Sequence, residues 1–106
     1  MSVIHMDRNA FDQHVKGGPG VAVVDFWAPW CGPCMMFGPV FEQYADEVDG
    51  QVVAGKVNTD DFQDLALEYD VQMIPTVIVF KDGAEVARHS GGMDMAMLED
   101  MVDPYL

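Results

Sequence analysis

The chain has 106 residues, half of them hydrophobic, which sets one globular domain with a modest core and excludes a disordered chain. Eighteen acids against five Lys plus Arg give a formal charge of −13, a field that repels nucleic acid and anionic membranes, and no apolar run reaches the length of a membrane span. The plainest reading of that charge is a highly soluble surface, with a high-salt habitat or a basic partner patch as the lesser alternative.

The first residues, Met1-Ser2-Val3-Ile4-His5, lack a basic segment followed by an apolar stretch. No signal peptide is read there, and the expected setting is cytoplasmic. Asp7 is the expected N-cap of a first helix, with Phe11 and Val15 as its apolar i, i+4 pair. Gly17-Gly18-Pro19-Gly20 ends it as a turn; nothing in its context makes it a phosphate loop. Val21 to Trp27 is almost entirely apolar, as a strand covered on both faces should be.

A second helix is expected from about Cys34 to Val48, carrying Phe37, Val40, Phe41, Tyr44 and Val48 on one stripe and kinked by Pro39. Val52 to Asn58 is another strand. Phe62, Leu65, Ala66 and Tyr69 mark a short third helix behind a cap at Asp60 or Asp61. Thr76 to Phe80 is a strand, and Asp82-Gly83 is a hairpin signal leading into Glu85 to His89. Asp94 caps a last helix with Leu98, Met101, Val102 and Tyr105 inward, leaving Met95 and Met97 off its stripe. Alternation of this kind gives an α/β layered fold around a mixed sheet whose final hairpin is antiparallel.

The chain holds only two cysteines, Cys31 and Cys34, in Trp30-Cys31-Gly32-Pro33-Cys34. A strand delivers the chain to this segment and a helix follows it. The free N–H groups and dipole of that helix favour a thiolate at Cys31, which lowers its pKa and makes it a nucleophile. Pro33 suits a helix start, and Gly32 lets the backbone turn and leaves the sulfur uncovered. Cys34 lies one turn inside, close enough to close a small disulfide ring with Cys31. A purely structural disulfide of this size constrains little unfolded chain. A closed zinc site needs two further soft ligands, and His5, His14 and His89 are scattered without ligand spacing.

Val24-Asp25-Phe26-Trp27-Ala28-Pro29-Trp30-Cys31-Gly32-Pro33-Cys34, together with Ile74-Pro75-Thr76 and Gly91, closely resembles the thioredoxin family over almost the whole chain. The resemblance implies a central mixed sheet flanked by four helices in a single domain spanning residues 1–106. It also implies a monomeric protein-disulfide reductase, recharged by thioredoxin reductase, acting on disulfide-containing target proteins. No bound cofactor is implied beyond the redox-active Cys31–Cys34 disulfide.

In that mechanism Cys31 attacks the target disulfide and Cys34 resolves the mixed disulfide. Asp25 would be the general base for Cys34, its pKa raised by an apolar strand, and Lys56 matches the lysine that neighbours this acid. Pro75 matches the family's cis-proline, and the backbone at Ile74 would pair with an extended target. Trp30, Gly32, Pro33 and Gly91 complete the docking surface, with Met73 beside Ile74. Two positions depart from the family: Met35 stands where lysine is common, and Met73 is large and apolar. A dedicated oxidase or isomerase and a non-catalytic docking subunit are the competing readings. Gly-Pro between the cysteines favours reduction over the former, and an intact pair with Asp25 and Pro75 argues against the latter.

Overall fold

The computed structural model describes residues 2–106. Five strands form one sheet: β1 (Val3–His5), β2 (Val21–Trp27), β3 (Val52–Asn58), β4 (Thr76–Lys81) and β5 (Ala84–Ser90). Their order across the sheet is β1-β3-β2-β4-β5. The β1–β3 and β3–β2 pairs are parallel, and β2–β4 and β4–β5 are antiparallel. The mixed sheet with an antiparallel hairpin edge is therefore the one expected.

The apolar run of β2 is explained by two layers that share its alternation. Val21 and Val23 pack with Phe37, Phe41, Tyr44, Leu98 and Val102. Ala22, Val24 and Phe26 pack with Phe11, Val15 and Leu65 on the opposite face. Because successive side chains of a strand point to opposite faces, every residue of β2 needs an apolar partner except the one at Asp25. The β3 partners of this stretch are in register, with Asp25 beside Lys56 and Trp27 beside Asn58.

Four α-helices cover these faces: α1 (Arg8–Phe11), α2 (Gly32–Glu47), α3 (Gln63–Glu68) and α4 (Met95–Val102). Asp7 caps α1 by accepting the Ala10 N–H at 2.8 Å, as its sequence position indicates. The helix then widens into a π-type turn over Asp12–Lys16, closed by the Gly17 N–H donating to the Asp12 carbonyl at 2.8 Å. Asp94 likewise caps α4 by accepting the Met97 N–H at 2.8 Å. Tyr105 lies beyond α4, in a 3₁₀ turn over Asp103–Tyr105, and its hydroxyl donates to the Val86 carbonyl at 3.1 Å.

Three sequence expectations need correction. β1 is a real edge strand where none was expected. α2 begins at Gly32, two residues before Cys34, and runs through Pro39 to Glu47. Phe62, not an aspartate, occupies the N-cap position of α3, and it makes no side-chain cap bond. α3 is held instead by ion pairs to α1 and to the π-type turn after it: Arg8 meets Asp64 at 2.7 Å and Glu68 at 2.8 Å, and Lys16 meets Glu68 at 2.6 Å. The Asp82-Gly83 turn has φ of 51° and 85°, the two left-handed residues a tight hairpin requires.

Candidate active site

The end of β2, the start of α2 and the loop before β4 meet at the two cysteines. Cys31 is in extended conformation at the N-cap of α2, and Cys34 is one turn in. Their Cα atoms are 5.2 Å apart and their sulfurs are joined as a disulfide. The Cys34 N–H donates to Cys31 Sγ at 3.2 Å. A backbone donor and the positive end of a sixteen-residue helix thus both face this sulfur, which is the environment that favours a thiolate there.

Cys31 is less uncovered than its sequence context suggests. It is 6% exposed and Cys34 2%, in a small cluster with Ala28, against which Trp27 and Ile74 pack. The asymmetry between the two is one of position, since Cys31 sits at the helix end and Cys34 inside it. Gly32 has no left-handed φ, so no turn demands it. A Cβ at Gly32 would meet nothing within 4 Å. The space a side chain would take at Gly32 is therefore open.

Cys31 Sγ lies 3.8 Å from the Ile74 carbonyl. As a disulfide sulfur it has no proton to donate, but a Cys31 thiol would have this acceptor within reach. The Ile74–Pro75 peptide bond is cis. Thr76, 1% exposed, ties this loop down by donating from Oγ1 to the Met73 carbonyl, and its Oγ1 is 2.9 Å from Ser90 Oγ. Gly91 completes the loop's support: its N–H donates to the Pro75 carbonyl at 2.8 Å, at a φ of 99° that favours glycine. The sequence marks Thr76 only as part of the Ile74-Pro75-Thr76 motif and does not mark Ser90; their contact depends on a strand pairing fourteen residues apart.

Asp25 is fully buried, and neither carboxylate oxygen has a hydrogen-bond partner among the described residues. By strand alternation it faces the layer that contains α2, as Val21 and Val23 do. Burial raises its pKa from 3.8 to about 7, with the charge of Lys56 pulling the other way. Asp25 and Lys56 make no ion pair within 4.0 Å among the described residues. The ammonium sits instead 4.7 Å from the centre of the Trp27 ring, a cation–π contact. Gly38 of α2 lies beside it: a Cβ there would stand 3.6 Å from Lys56 Nζ, an ordinary contact. Lys56 also lines a cleft of about 340 Å³ with His5, Trp27, Asn58 and Asp61, so it bridges from solvent toward the buried acid.

Around the cysteines, Trp30 is 70% exposed and Gly32 and Pro33 are exposed, while Met35 and Met73 are 55% and 65% exposed. Trp30 is not loose: its Nε1 donates to Asp60 at 3.1 Å, and Asp60 is itself placed by its N–H donating to Asn58 Oδ1 at 2.9 Å. Asp60 therefore serves the tryptophan thirty residues earlier and not the helix it precedes. Asp60→Ala should release the indole, giving a lower steady-state fluorescence anisotropy of Trp30 with a stability change under about 1 kcal/mol, as for an exposed hydrogen bond. Unchanged anisotropy, read in a variant whose other tryptophan Trp27 is replaced by phenylalanine, would show that Asp60 does not hold the ring.

Among the described residues no group of three or more His, Cys, Asp and Glu is placed to hold a metal ion. No helix there is long and apolar enough to cross a membrane.

The thioredoxin family model matches residues 2–104. A thioredoxin of Porphyra purpurea is 39% identical over 106 residues, covering all of this chain and 99% of that protein. A thioredoxin of Chlorobaculum thiosulfatiphilum is 37% identical over 100 residues, 94% of this chain and 92% of its own length. The chloroplastic thioredoxin M5 of Oryza sativa subsp. japonica is 38% identical over 104 residues, and this chain spans 60% of its length. With a sulfur pair at the start of α2, a buried acid in β2 and a match over nearly its full length, the chain belongs to the thioredoxin family of thiol–disulfide oxidoreductases.

Proposed function

We propose that the protein is a general protein-disulfide reductase that cycles between its Cys31–Cys34 dithiol and disulfide. The observation that carries this reading is Cys31 Sγ at the helix N-terminus, accepting the Cys34 N–H and facing the Ile74 carbonyl. In the reduced protein, the Cys31 thiolate attacks one sulfur of a target disulfide, and the other target sulfur leaves as a thiolate. Cys34 then gives up its proton and attacks Cys31 Sγ. The second target thiolate leaves, so two electrons have moved to the target and the protein is a disulfide. Asp25, on the face toward α2 with a pKa near 7, is the acceptor for the Cys34 proton, and Lys56 moderates its charge.

The target chain lies extended against the loop at Met73, Ile74 and Pro75, with Trp30, Gly32, Pro33 and Gly91 around it. Thioredoxin reductase restores the dithiol, the protein acts as a monomer, and its own cysteine pair carries the electrons without a bound cofactor. A cytoplasmic setting is proposed from the sequence; fractionation of the source cells tests it, since one relative is named as chloroplastic.

Insulin reduction driven by dithiothreitol tests the activity, and the same assay driven by NADPH and thioredoxin reductase tests the recharging. The reduction potential separates reductase from oxidase: about −270 mV is the value for a thioredoxin, and about −120 mV that for a strong oxidant. Gly-Pro between the cysteines favours the former.

The exposed methionines bias target choice. With Met35 and Met73 apolar on a chain of charge −13, the face around Cys31 has little to attract an acidic peptide. Met35→Lys should speed reduction of an acidic peptide disulfide at low salt, with the gain fading as salt is added. Equal rates for both proteins on acidic and apolar peptides, at low and high salt, would show that Met35 has no part in selection.

A further inference from the structure

The methionines of this chain are sorted by burial in a way its redox chemistry does not require. Nine occur in 106 residues. Met6 and Met93 are 2% and 7% exposed and belong to the interior, Met97 of α4 is 44% exposed, and the most exposed are Met36, Met73 and Met35 at 81%, 65% and 55%. Those three stand next in the chain to the cysteine pair or to the loop that faces it. Met35 and Met36 directly follow Cys34 on α2. Met73 directly precedes Ile74, whose carbonyl is 3.8 Å from Cys31 Sγ. Met36 also lines an apolar groove with Pro33, Phe37, Val40, Gly92 and Met93.

We propose that Met35, Met36 and Met73 form a sulfoxidation site through which peroxides weaken target docking without touching the cysteine chemistry. This rests on the docking reading given above. In the step, a thioether sulfur attacks the terminal oxygen of a hydroperoxide. An S–O bond forms, the O–O bond breaks, and water or an alcohol leaves. The methionine loses two electrons and the peroxide gains them.

The disulfide form is the state in which this happens, because neither cysteine then offers a thiolate to compete. The product is a polar acceptor at three points of an otherwise apolar rim. Covering it with an apolar target surface carries the penalty of an unpaired polar group. Since all three side chains point to solvent, the core is left as it was, and the loss falls on recognition rather than on folding.

The test treats the disulfide form with hydrogen peroxide, then restores the cysteines with dithiothreitol. Peptide mass mapping should find oxygen first at Met36, Met73 and Met35, with Met6 and Met93 spared. Insulin reduction should then fall about fivefold, as an uncompensated polar group at a docking face implies. Reduction of a small aromatic disulfide, which needs no docking surface, should change by less than about 1.5-fold. A triple variant, Met35→Leu with Met36→Leu and Met73→Leu, compared only with its own untreated rate, should lose nothing on the same treatment.

If untreated wild-type protein fails to reduce insulin, the reductase reading falls and this inference with it. If untreated protein is active and the three sulfoxides leave its rate unchanged, the inference alone is overturned. An equal loss in the leucine variant, or on the small disulfide, overturns it as well.

Discussion

Cys31→Ser should lower insulin reduction by at least about a thousandfold, to the chemical background, because a serine hydroxyl at this pH is neither ionised nor a nucleophile toward sulfur. Cys34→Ser should behave differently. It keeps the Cys31 sulfur at the start of α2, so it should begin the exchange and then stall as a mixed disulfide with the target. The structure supports this order through position, not through exposure. Both residues are nearly covered, at 6% and 2%, so accessibility alone does not rank them. What ranks them is that Cys31 Sγ receives the Cys34 N–H at 3.2 Å and faces the helix end, whereas Cys34 lies inside the helix.

Limiting alkylation of the reduced protein at neutral pH reads the same asymmetry without any target. Label should appear on Cys31 before Cys34. Equal labelling, or mixed disulfides accumulating in Cys31→Ser instead of Cys34→Ser, would reverse the assigned roles.

Elements whose signals are local were legible in the sequence. The caps at Asp7 and Asp94, the left-handed pair Asp82-Gly83 and the two-sided apolar run of β2 each act over a few residues, and each is where it was expected. What escaped depends on distant partners. β1 is three residues long and is a strand only because Val3, Ile4 and His5 pair with Ala54, Gly55 and Lys56. Asp60 looked like a helix cap, but the indole of Trp30 claims its carboxylate. Thr76 holds the loop before Pro75 by bonds to Met73 and Ser90.

The same division runs through the candidate site. The cysteine pair was legible from spacing and flanks, and the burial of Asp25 from its being the one acid in an apolar strand. The fit of Lys56 under Gly38 and over Trp27 is a property of packing between β3, α2 and β2, and no local pattern encodes it.

Asp25→Ala should stabilise the protein at neutral pH while slowing release of the target. The carboxyl is fully buried without a hydrogen-bond partner among the described residues, and its pKa rises from 3.8 to about 7. Well below pH 3.8 the group is protonated in both folded and unfolded chains and contributes no pH dependence. Between pH 4 and 7 the unfolded chain releases the proton and the folded chain keeps it, so stability falls as pH rises. Above pH 7 both forms are ionised and the loss is complete, at about 4 kcal/mol for a shift of roughly three units. Alanine removes that loss but leaves a small void costing about 1 kcal/mol.

The variant should therefore be more stable than wild type by about 3 kcal/mol at pH 8, and slightly less stable at pH 3, where only the void remains. Denaturant unfolding of both proteins at pH 3, 6 and 8 reads this crossover. A difference that does not change with pH would mean that the acid is not a buried charge. Catalysis should move the other way. On the proposed role of Asp25 as acceptor of the Cys34 proton, release from a preformed mixed disulfide at pH 7 should slow by on the order of tenfold or more, and its pH profile should lose the inflection near 7. The first attack by Cys31 should be nearly unaffected, because that thiolate is supported by the helix end and not by Asp25. Release at the wild-type rate in a variant that shows the stability crossover would leave Asp25 as a buried acid with no part in the exchange.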